Sequence, residues 1–172
     1  MELTTDQKVG IAELAIALEA TLLGIDVYSP MTEGGRYDLI FDMGTRLLRV
    51  QCKWARLLDS VVAVPCQSWR RTRDGMRSRG YTSDEIDAIA AYCHPLKKCY
   101  LLPISLVAKR RQVYLRLSPA KNNQRKGLNS AAEYELGAIA QLGERLAGSE
   151  EVAGSSPASS TEKAAHNGRL FS

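Results

Sequence analysis

The feature that most constrains the fold of this chain is a pair of strand-like segments around a glycine turn. Residues 37–43 and 47–54 are rich in apolar and aromatic side chains, and Gly44 and Thr45 separate them. Two such segments joined by a short turn predict an antiparallel hairpin. Further segments with strand composition follow or precede this hairpin: 25–28, 61–64, 88–93, 99–104 and 112–117. The chain therefore predicts a sheet with most of its strands in the middle of the sequence.

A single long helix is predicted before the first strand, over residues 5–23. Apolar side chains recur there at helical spacing, at Ile11, Leu14, Ala15, Leu18 and Leu22. Small and apolar residues also surround Glu13 at turn spacing, which predicts a second face that can pack closely on a sheet: Val9, Gly10, Ile16, Ala17 and Ala20. Helix and strands together predict a mixed α/β fold, with a central sheet flanked by helices.

The length of 172 residues leaves room for one domain. No apolar segment approaches the roughly 20 residues that span a bilayer, and the N-terminus lacks the build of a signal peptide. Four cysteines without a CxxC pair are typical of buried thiols in a reducing compartment. We therefore expect a cytoplasmic protein, with a domain over 1–136 and a disordered, Ser-, Ala- and Gly-rich tail over 137–172.

Charge is distributed unevenly along the chain. Residues 46–126 carry 18 basic and 5 acidic side chains, a net charge of +13, whereas residues 1–45 carry a net charge of −6. Clustered arginines and lysines neutralise phosphates, so the middle segment predicts a nucleic-acid partner. The candidate DNA-binding residues are Arg70, Arg71, Arg73, Arg77, Arg79, Lys109, Arg110 and Arg111. A solvated basic surface without a partner is the alternative.

The arginine-rich segment 69–80 has no apolar face, and we expect a surface helix or a loop there. Trp69 and Tyr81 flank it. These two aromatic side chains would either stack on bases or pack into the core.

Four polar residues form a candidate catalytic cluster. Gln51 and Lys53 are two apart on a predicted strand and point to one face, while Cys52 points to the other. Asp38 opens the preceding strand and can lie near the same face. A carboxylate at Glu13 would need a cation as partner if the helix packs it against the sheet.

The segments GRYDLI at 35–40 and VQCK at 50–53 resemble the PD-(D/E)XK nuclease superfamily. Within it, the chain is most similar to the homing endonucleases of cyanobacterial group I introns. Further stretches carry that resemblance over about residues 5–136: 81–87, 100–104, 115–117, 122–124 and 132–134. Two positions depart from the family pattern, since Tyr37 replaces the usual proline and Gln51 replaces the usual acidic residue.

The resemblance implies a PD-(D/E)XK core that cuts double-stranded DNA at specific sites with Mg²⁺. It implies that Asp38, Gln51 and Glu13 hold the metal, as hard oxygen donors suit Mg²⁺. Lys53 would then orient and help deprotonate the attacking water, or offset charge on the phosphate. Because one such domain carries one active site, a homodimer or homotetramer is expected.

The resemblance leaves other functions open. A Holliday junction resolvase or a restriction-type nuclease would use the same fold, and a resolvase would prefer branched DNA. A catalytically degenerate protein that binds nucleic acid or assists splicing is a third possibility, favoured by Gln51 in place of an acid. It would bind DNA or RNA with a steep salt dependence and would not cut.

The C-terminal tail has a second peculiarity. Residues 140–146 can be encoded by the D arm of a tRNA gene, and residues 154–158 by the T arm. Thirteen codons separate Gln141 from Gly154, which matches the separation of those arms. We hypothesise that the reading frame runs into a tRNA gene, so that a target at or near such a gene is expected. A low-complexity tail of chance composition is the alternative.

Overall fold

The computed structural model describes residues 2–32, 34–118 and 129–139, apart from the side chains of Arg70 and Arg71. Its main sheet has eight strands. Of the tail predicted to be disordered over 137–172, residues 137–139 are helical and Ile139 packs against the core, because an apolar side chain there reaches the sheet. The rest of that tail and the two tRNA-like segments lie outside the described residues.

The chain begins with helix α1 (Thr5–Leu22), capped by Thr4, whose hydroxyl accepts a hydrogen bond from Gln7 N. Seven strands come next: β1 (Asp26–Tyr28), β2 (Leu39–Asp42), β3 (Leu47–Leu58), β4 (Val61–Pro65), β5 (Gln67–Thr72), β6 (Gly75–Gly80) and β7 (Ala88–Cys93). The remaining elements are β8 (Lys98–Pro103), α2 (Ile104–Val107), β9 (Gln112–Arg116), β10 (Asn129–Ser130) and a 3-10 turn (Ala131–Tyr134). The predicted α/β class is confirmed, as is the hairpin of β2 and β3, whose turn places Gly44 at φ 77°.

Strand β3 organises the sheet because its two halves have different neighbours. Its first residues, 47–50, pair antiparallel with β2, and residues 50–55 pair parallel with β7, which in turn pairs antiparallel with β8. Its last residues pair with β4, and β9 and β10 continue the sheet beyond β4. All six residues of β7 are buried, since this strand lies between β3 and β8 and is covered on both faces.

Two cores lie on opposite faces of the sheet. Along β7, Ala88, Ala90 and Tyr92 contribute to the core under α1, whereas the residues between them contribute to the second core. The second core also contains Tyr81 and the wholly buried Tyr100. All four cysteines are free and buried, as predicted. Burial raises the pKa of the Cys66 thiol to about 11.

Helix α1 packs on the sheet with the face that carries its small residues. Ala12, Ile16 and Ala20 are buried, and alanines bring the helix backbone close to the sheet. The leucines whose spacing helped to predict this helix are instead exposed. Leu14, Leu18 and Leu22 expose 73%, 62% and 78% of their surface. The second prediction, of a small-residue face against the sheet, is confirmed.

The arginine-rich segment is neither a helix nor a loop, which corrects the sequence prediction. It forms a separate antiparallel hairpin of β5 and β6, in which Arg70 pairs with Arg77 and Ser68 with Arg79. The turn places Gly75 at φ 113°, a backbone conformation that glycine adopts without strain. A ribbon exposed on both faces needs no apolar pattern, so the periodicity of the segment carried no strand signal.

No helix in the described parts of the chain is long and apolar enough to span a membrane.

Candidate active site

Asp38 is fixed to strand β3 by several hydrogen bonds just before β2 begins. Its backbone N donates to Val50 O at 2.9 Å. Its carboxylate Oδ2 accepts from Cys52 N at 2.7 Å and from the side-chain amide of Gln51. The hairpin pairing of β2 and β3 thus positions one carboxylate beside the middle of β3.

Gln51 and Lys53 alternate with Cys52 along β3, as the sequence predicts. Cys52 is buried in the core under α1, while the other two side chains are partly exposed and line one cleft. The pKa of the Cys52 thiol is raised, first by burial and then by the charge of Asp38. Cys52 therefore packs as an uncharged apolar group, and the polar chemistry lies on the opposite face of the strand.

Glu13 reaches the same cleft from helix α1. Burial raises the pKa of its carboxyl group, and the negative charge of Asp38 raises it further. Burial also raises the pKa of Asp38, outweighing the opposing effects of its hydrogen bonds and of the Lys53 charge. Burial thus disfavours the ionised form of both carboxyl groups, and a cation bound between them would favour it.

The cleft has a volume of about 400 Å³ and contains all four residues of the predicted catalytic cluster. The loop between β1 and β2 forms much of its wall. The remaining lining residues are Ser29, Pro30, Thr32, Gly34, Gly35, Arg36, Tyr37, Ser68 and Tyr81.

The donor set suits a hard divalent cation. Two carboxylates and one amide oxygen are the ligand types that Mg²⁺ takes, with water or phosphate completing the coordination. Among the described residues, no group of three or more His, Cys, Asp and Glu side chains is placed to hold a metal ion. The cleft combines the carboxylates of Glu13 and Asp38 with the side-chain amide of Gln51, and these are the oxygen donors that it offers to a cation.

Arg36 connects the segment that carries Asp38 to the arginine-rich hairpin, a contact that the sequence did not predict. Its guanidinium donates to Ser68 Oγ at 3.0 Å, to Gly80 O at 2.6 Å and to Glu85 Oε2 at 3.2 Å. Arg36 lies two residues before Asp38, so both strands at the base of the hairpin are attached beside the cleft. The available signal was the Asp74-Gly75 turn, which predicts a hairpin between two equal arginine-rich halves.

Glu85 is shared by two arginines. It forms ion pairs with Arg36, at 3.1 Å, and with Arg79 of strand β6. Although burial opposes the effect, the hydrogen bond and charge of Arg36 hold the pKa of Glu85 below its usual range. This carboxylate is therefore a stable anchor for the end of the hairpin.

Tyr81 lies between the hairpin and the second core, with only 4% of its surface exposed. The Arg36 guanidinium carbon is 4.4 Å from the centre of its ring, and the Lys53 ammonium is 5.2 Å from that centre. Of the two roles left open by the sequence, burial in the core applies to Tyr81. Trp69, by contrast, exposes 61% of its surface on the hairpin.

The predicted DNA-binding residues form two neighbouring groups. Arg73, Arg77 and Arg79 are exposed on the hairpin, and the backbones of Arg70 and Arg71 lie in β5. A second groove of about 520 Å³ follows the hairpin, lined by Gly34, Arg36, Ser68, Thr72, Arg77, Ser78 and Arg79. Its first three lining residues also line the cleft, so the groove and the cleft are continuous.

The second basic group follows helix α2. Lys109, Arg110 and Arg111 are all exposed. Arg111 O accepts a hydrogen bond from Cys66 N at 3.0 Å, immediately before strand β5 begins. This bond brings the second group to the base of the arginine-rich hairpin.

The architecture around this cleft is that of a nuclease-like α/β domain, and two comparisons agree with it. A family model described as PD-(D/E)XK endonuclease matches residues 3–137. The chain therefore belongs to the PD-(D/E)XK endonuclease family, as the sequence resemblance indicated.

The fold is also similar to that of a bacterial homing endonuclease, I-Ssp6803I. That structure matches with a TM-score of 0.64 and 23% sequence identity, and the match covers 86% of this chain and 99% of the other. No curated protein matches the chain.

Proposed function

We propose that this protein is a homing-type endonuclease that hydrolyses both strands of duplex DNA at a specific site with Mg²⁺. The observation that carries the proposal is the continuity of two features. A cleft containing Glu13, Asp38, Gln51 and Lys53 opens directly into a groove lined by exposed arginines. The family membership supports nuclease chemistry, and the similarity to a homing endonuclease supports the fold on which it would occur.

Mg²⁺ would be held by the carboxylates of Asp38 and Glu13 and by the side-chain oxygen of Gln51. Once bound, it would neutralise phosphate oxygens and lower the pKa of a bound water. Gln51 contributes no charge, so the site depends on the two carboxylates for electrostatic attraction.

The residues of the chain itself would orient and stabilise the reacting groups. The hydrogen bond from Cys52 N fixes the Asp38 carboxylate before DNA arrives, at 2.7 Å. The Lys53 ammonium would offset the negative charge that develops on the phosphate, or orient and help deprotonate the attacking water. Both roles need the Lys53 side chain to be directed into the cleft that it lines.

Mg²⁺ is expected to stabilise the fold. The raised pKa values of Asp38 and Glu13 mean that the folded state binds more protons than the unfolded state just above the usual carboxyl range. The free energy of unfolding therefore falls as pH rises through that range, and a cation reverses the loss. At ten times its Kd, Mg²⁺ would add about 1.4 kcal/mol, raising the Tm by about 3–6 °C at pH 7.5.

Differential scanning fluorimetry with and without Mg²⁺ checks this expectation, and Glu13→Gln provides the comparison. This variant removes the repulsion with Asp38, so its Tm without metal should rise and its Mg²⁺-induced shift should shrink. Glu2→Gln removes an exposed carboxylate before α1 and should leave both values unchanged. An equal Mg²⁺ shift in wild type and Glu13→Gln would contradict the metal role of Glu13.

DNA would lie along the hairpin groove and enter the cleft at Ser68 and Arg36. The hairpin arginines and the group at 109–111 would contact phosphates, since the guanidinium binds two phosphate oxygens at once. Exposed Trp69 is available for contact with a base or a sugar.

Self-association would supply the second active site that cutting of both strands requires. The exposed face of α1 supports a contact with a second copy of this chain, because Leu14, Leu18 and Leu22 lie one turn apart on it. Such a helix face suits pairing with the same face of a partner about a two-fold axis. A homodimer through α1, or a homotetramer built from two such dimers, follows.

A double substitution tests the α1 contact. Leu14→Gln with Leu18→Gln keeps helix propensity but removes two apolar side chains from that face. We expect the mass by analytical ultracentrifugation to fall by half or more, with an unchanged circular dichroism spectrum. Val9→Gln with Tyr28→Gln alters two exposed apolar residues outside that face and should keep the wild-type mass. If the leucine variant also keeps that mass, α1 does not mediate self-association.

The shape of the preferred substrate distinguishes the proposal from its rivals. We expect Mg²⁺-dependent cutting of a linear duplex at one position, with no preference for a four-way junction of equal length. Cutting of junctions irrespective of sequence would identify a resolvase instead. Binding that weakens steeply with salt, without any cutting, would identify a degenerate binding protein.

A further inference from the structure

Lys53 lies against the same buried ring as Arg36, the residue that is hydrogen-bonded to the arginine-rich hairpin. Within residues 2–32, 34–118 and 129–139, Lys53 donates no hydrogen bond and forms no ion pair within 4.0 Å. The group found against its ammonium is the ring of Tyr81, whose centre is 5.2 Å from Nζ. A flexible four-carbon side chain at a cleft mouth would otherwise sample many rotamers.

The Tyr81 ring is itself held in place, by the second core and by Arg36. Tyr81 is 4% exposed and packs in the second core, so its position is set by the sheet. The Arg36 guanidinium lies 4.4 Å from the ring centre and is bound by Ser68, Gly80 and Glu85. Of these three partners of Arg36, Ser68 and Gly80 lie at the base of the hairpin, and Glu85 lies five residues after its end.

We propose that Tyr81 is a positioning residue for Lys53, and that Arg36 couples this position to the arginine-rich hairpin. The inference rests on the proposed nuclease function, which it deepens. The ring face attracts a cation through its quadrupole and limits the directions that the ammonium takes. DNA bound to the hairpin would hold the hairpin, and with it Arg36, in place. Arg36 would in turn hold the Tyr81 ring, which would keep Lys53 directed at the phosphate in the cleft.

The test separates binding from chemistry with two substitutions at one position. Tyr81→Phe keeps the ring, whereas Tyr81→Leu keeps apolar bulk but removes the ring. We expect Tyr81→Leu to slow single-turnover cleavage by about 10- to 100-fold, because misplacement of a catalytic group costs rates of this order. Its Kd for DNA, measured without Mg²⁺, should stay within about twofold of wild type. Tyr81→Phe should restore the wild-type rate.

A second readout does not depend on activity. Protons above an aromatic ring experience an upfield shift from the ring current, so the ε-methylene protons of Lys53 should resonate upfield in wild type and in Tyr81→Phe. The shift should disappear in Tyr81→Leu. Arg36→Gln removes the guanidinium that lies against the Tyr81 ring but leaves the core side chains unchanged. It should reduce the upfield shift and slow cleavage by a smaller factor than Tyr81→Leu does.

These measurements distinguish failure of the Tyr81 positioning role from failure of the proposed nuclease function. A wild-type protein that cuts no DNA overturns the proposed function, and the positioning role falls with it. If wild type cuts but Tyr81→Leu cuts equally fast, the positioning role alone is overturned. The same holds if Lys53 shows no upfield shift in the wild-type protein, which also covers the case in which Tyr81→Leu fails to fold.

Discussion

Substitution of Asp38 or Lys53 by alanine is expected to lower the rate of DNA cleavage by about 1,000-fold. Asp38→Ala removes the carboxylate that is most firmly fixed in the cleft, by the backbone N–H of Cys52 and the amide of Gln51. Lys53→Ala removes the only ammonium that lines the cleft among its described residues. Single-turnover cleavage of a plasmid substrate at saturating protein measures the loss without interference from binding.

Two matched variants control for charge and for fold. Asp26→Ala and Lys97→Ala remove an exposed carboxylate and an exposed ammonium that do not line the cleft, and both should cut at the wild-type rate. The catalytic variants should keep the wild-type Kd for DNA in EDTA within a few fold. Cleavage by Asp38→Ala at more than about a tenth of the wild-type rate would refute the assigned role.

Removal of the hairpin arginines is expected to cause a large loss of affinity for DNA. Replacing Arg70, Arg71, Arg73, Arg77 and Arg79 by serine removes up to five phosphate contacts, each releasing about 0.9 counterion when made. The slope of log K against log salt should therefore become shallower by about 3 to 4.5, and affinity at low salt should fall by at least about 100-fold. Fluorescence anisotropy over a range of salt concentrations measures both quantities.

Two double substitutions control for the loss of positive charge in this measurement. Arg77→Ser with Arg79→Ser changes two exposed positions of β6, and should lower the slope by about 1.8. Arg56→Ser with Lys97→Ser removes the same charge from exposed positions outside the hairpin and should leave the slope unchanged. Equal slopes for these two double variants would show that overall charge, and not the hairpin, determines affinity.

The gathering of Glu13, Asp38, Gln51 and Lys53 in one cleft could be predicted from the sequence because each of them obeys a local rule. Alternation along a strand places Gln51 and Lys53 on one face and Cys52 on the other, and hairpin pairing brings Asp38 beside them. Glu13 stood out because a carboxylate among small residues on a helix implies close packing near a partner charge. These relations depend on spacing within one or two elements, which a single sequence records.

The features of the fold and of the site that the sequence did not predict depend on contacts between distant segments. Arg36 and Gly80 are 44 residues apart, and nothing in either segment indicates their hydrogen bond. The exposure of the α1 leucines could not be predicted, because these larger apolar side chains lie opposite the buried alanines and hydrophobicity alone favours burying them. Strand β6 of the arginine-rich hairpin is exposed on both faces over residues 75–79, and a pattern-based prediction therefore had only the Asp-Gly turn to detect.

The most direct test of this function is to map DNA ends across the genome of a related strain whose tRNA genes lack this reading frame, after digestion with the purified protein in Mg²⁺ or in EDTA. We expect paired breaks in both strands at one locus, at or near a tRNA gene, in Mg²⁺ only and absent for Asp38→Ala. Breaks scattered without regard to sequence would contradict site specificity. An intact genome bound tightly at low salt would contradict the assignment of nuclease activity altogether.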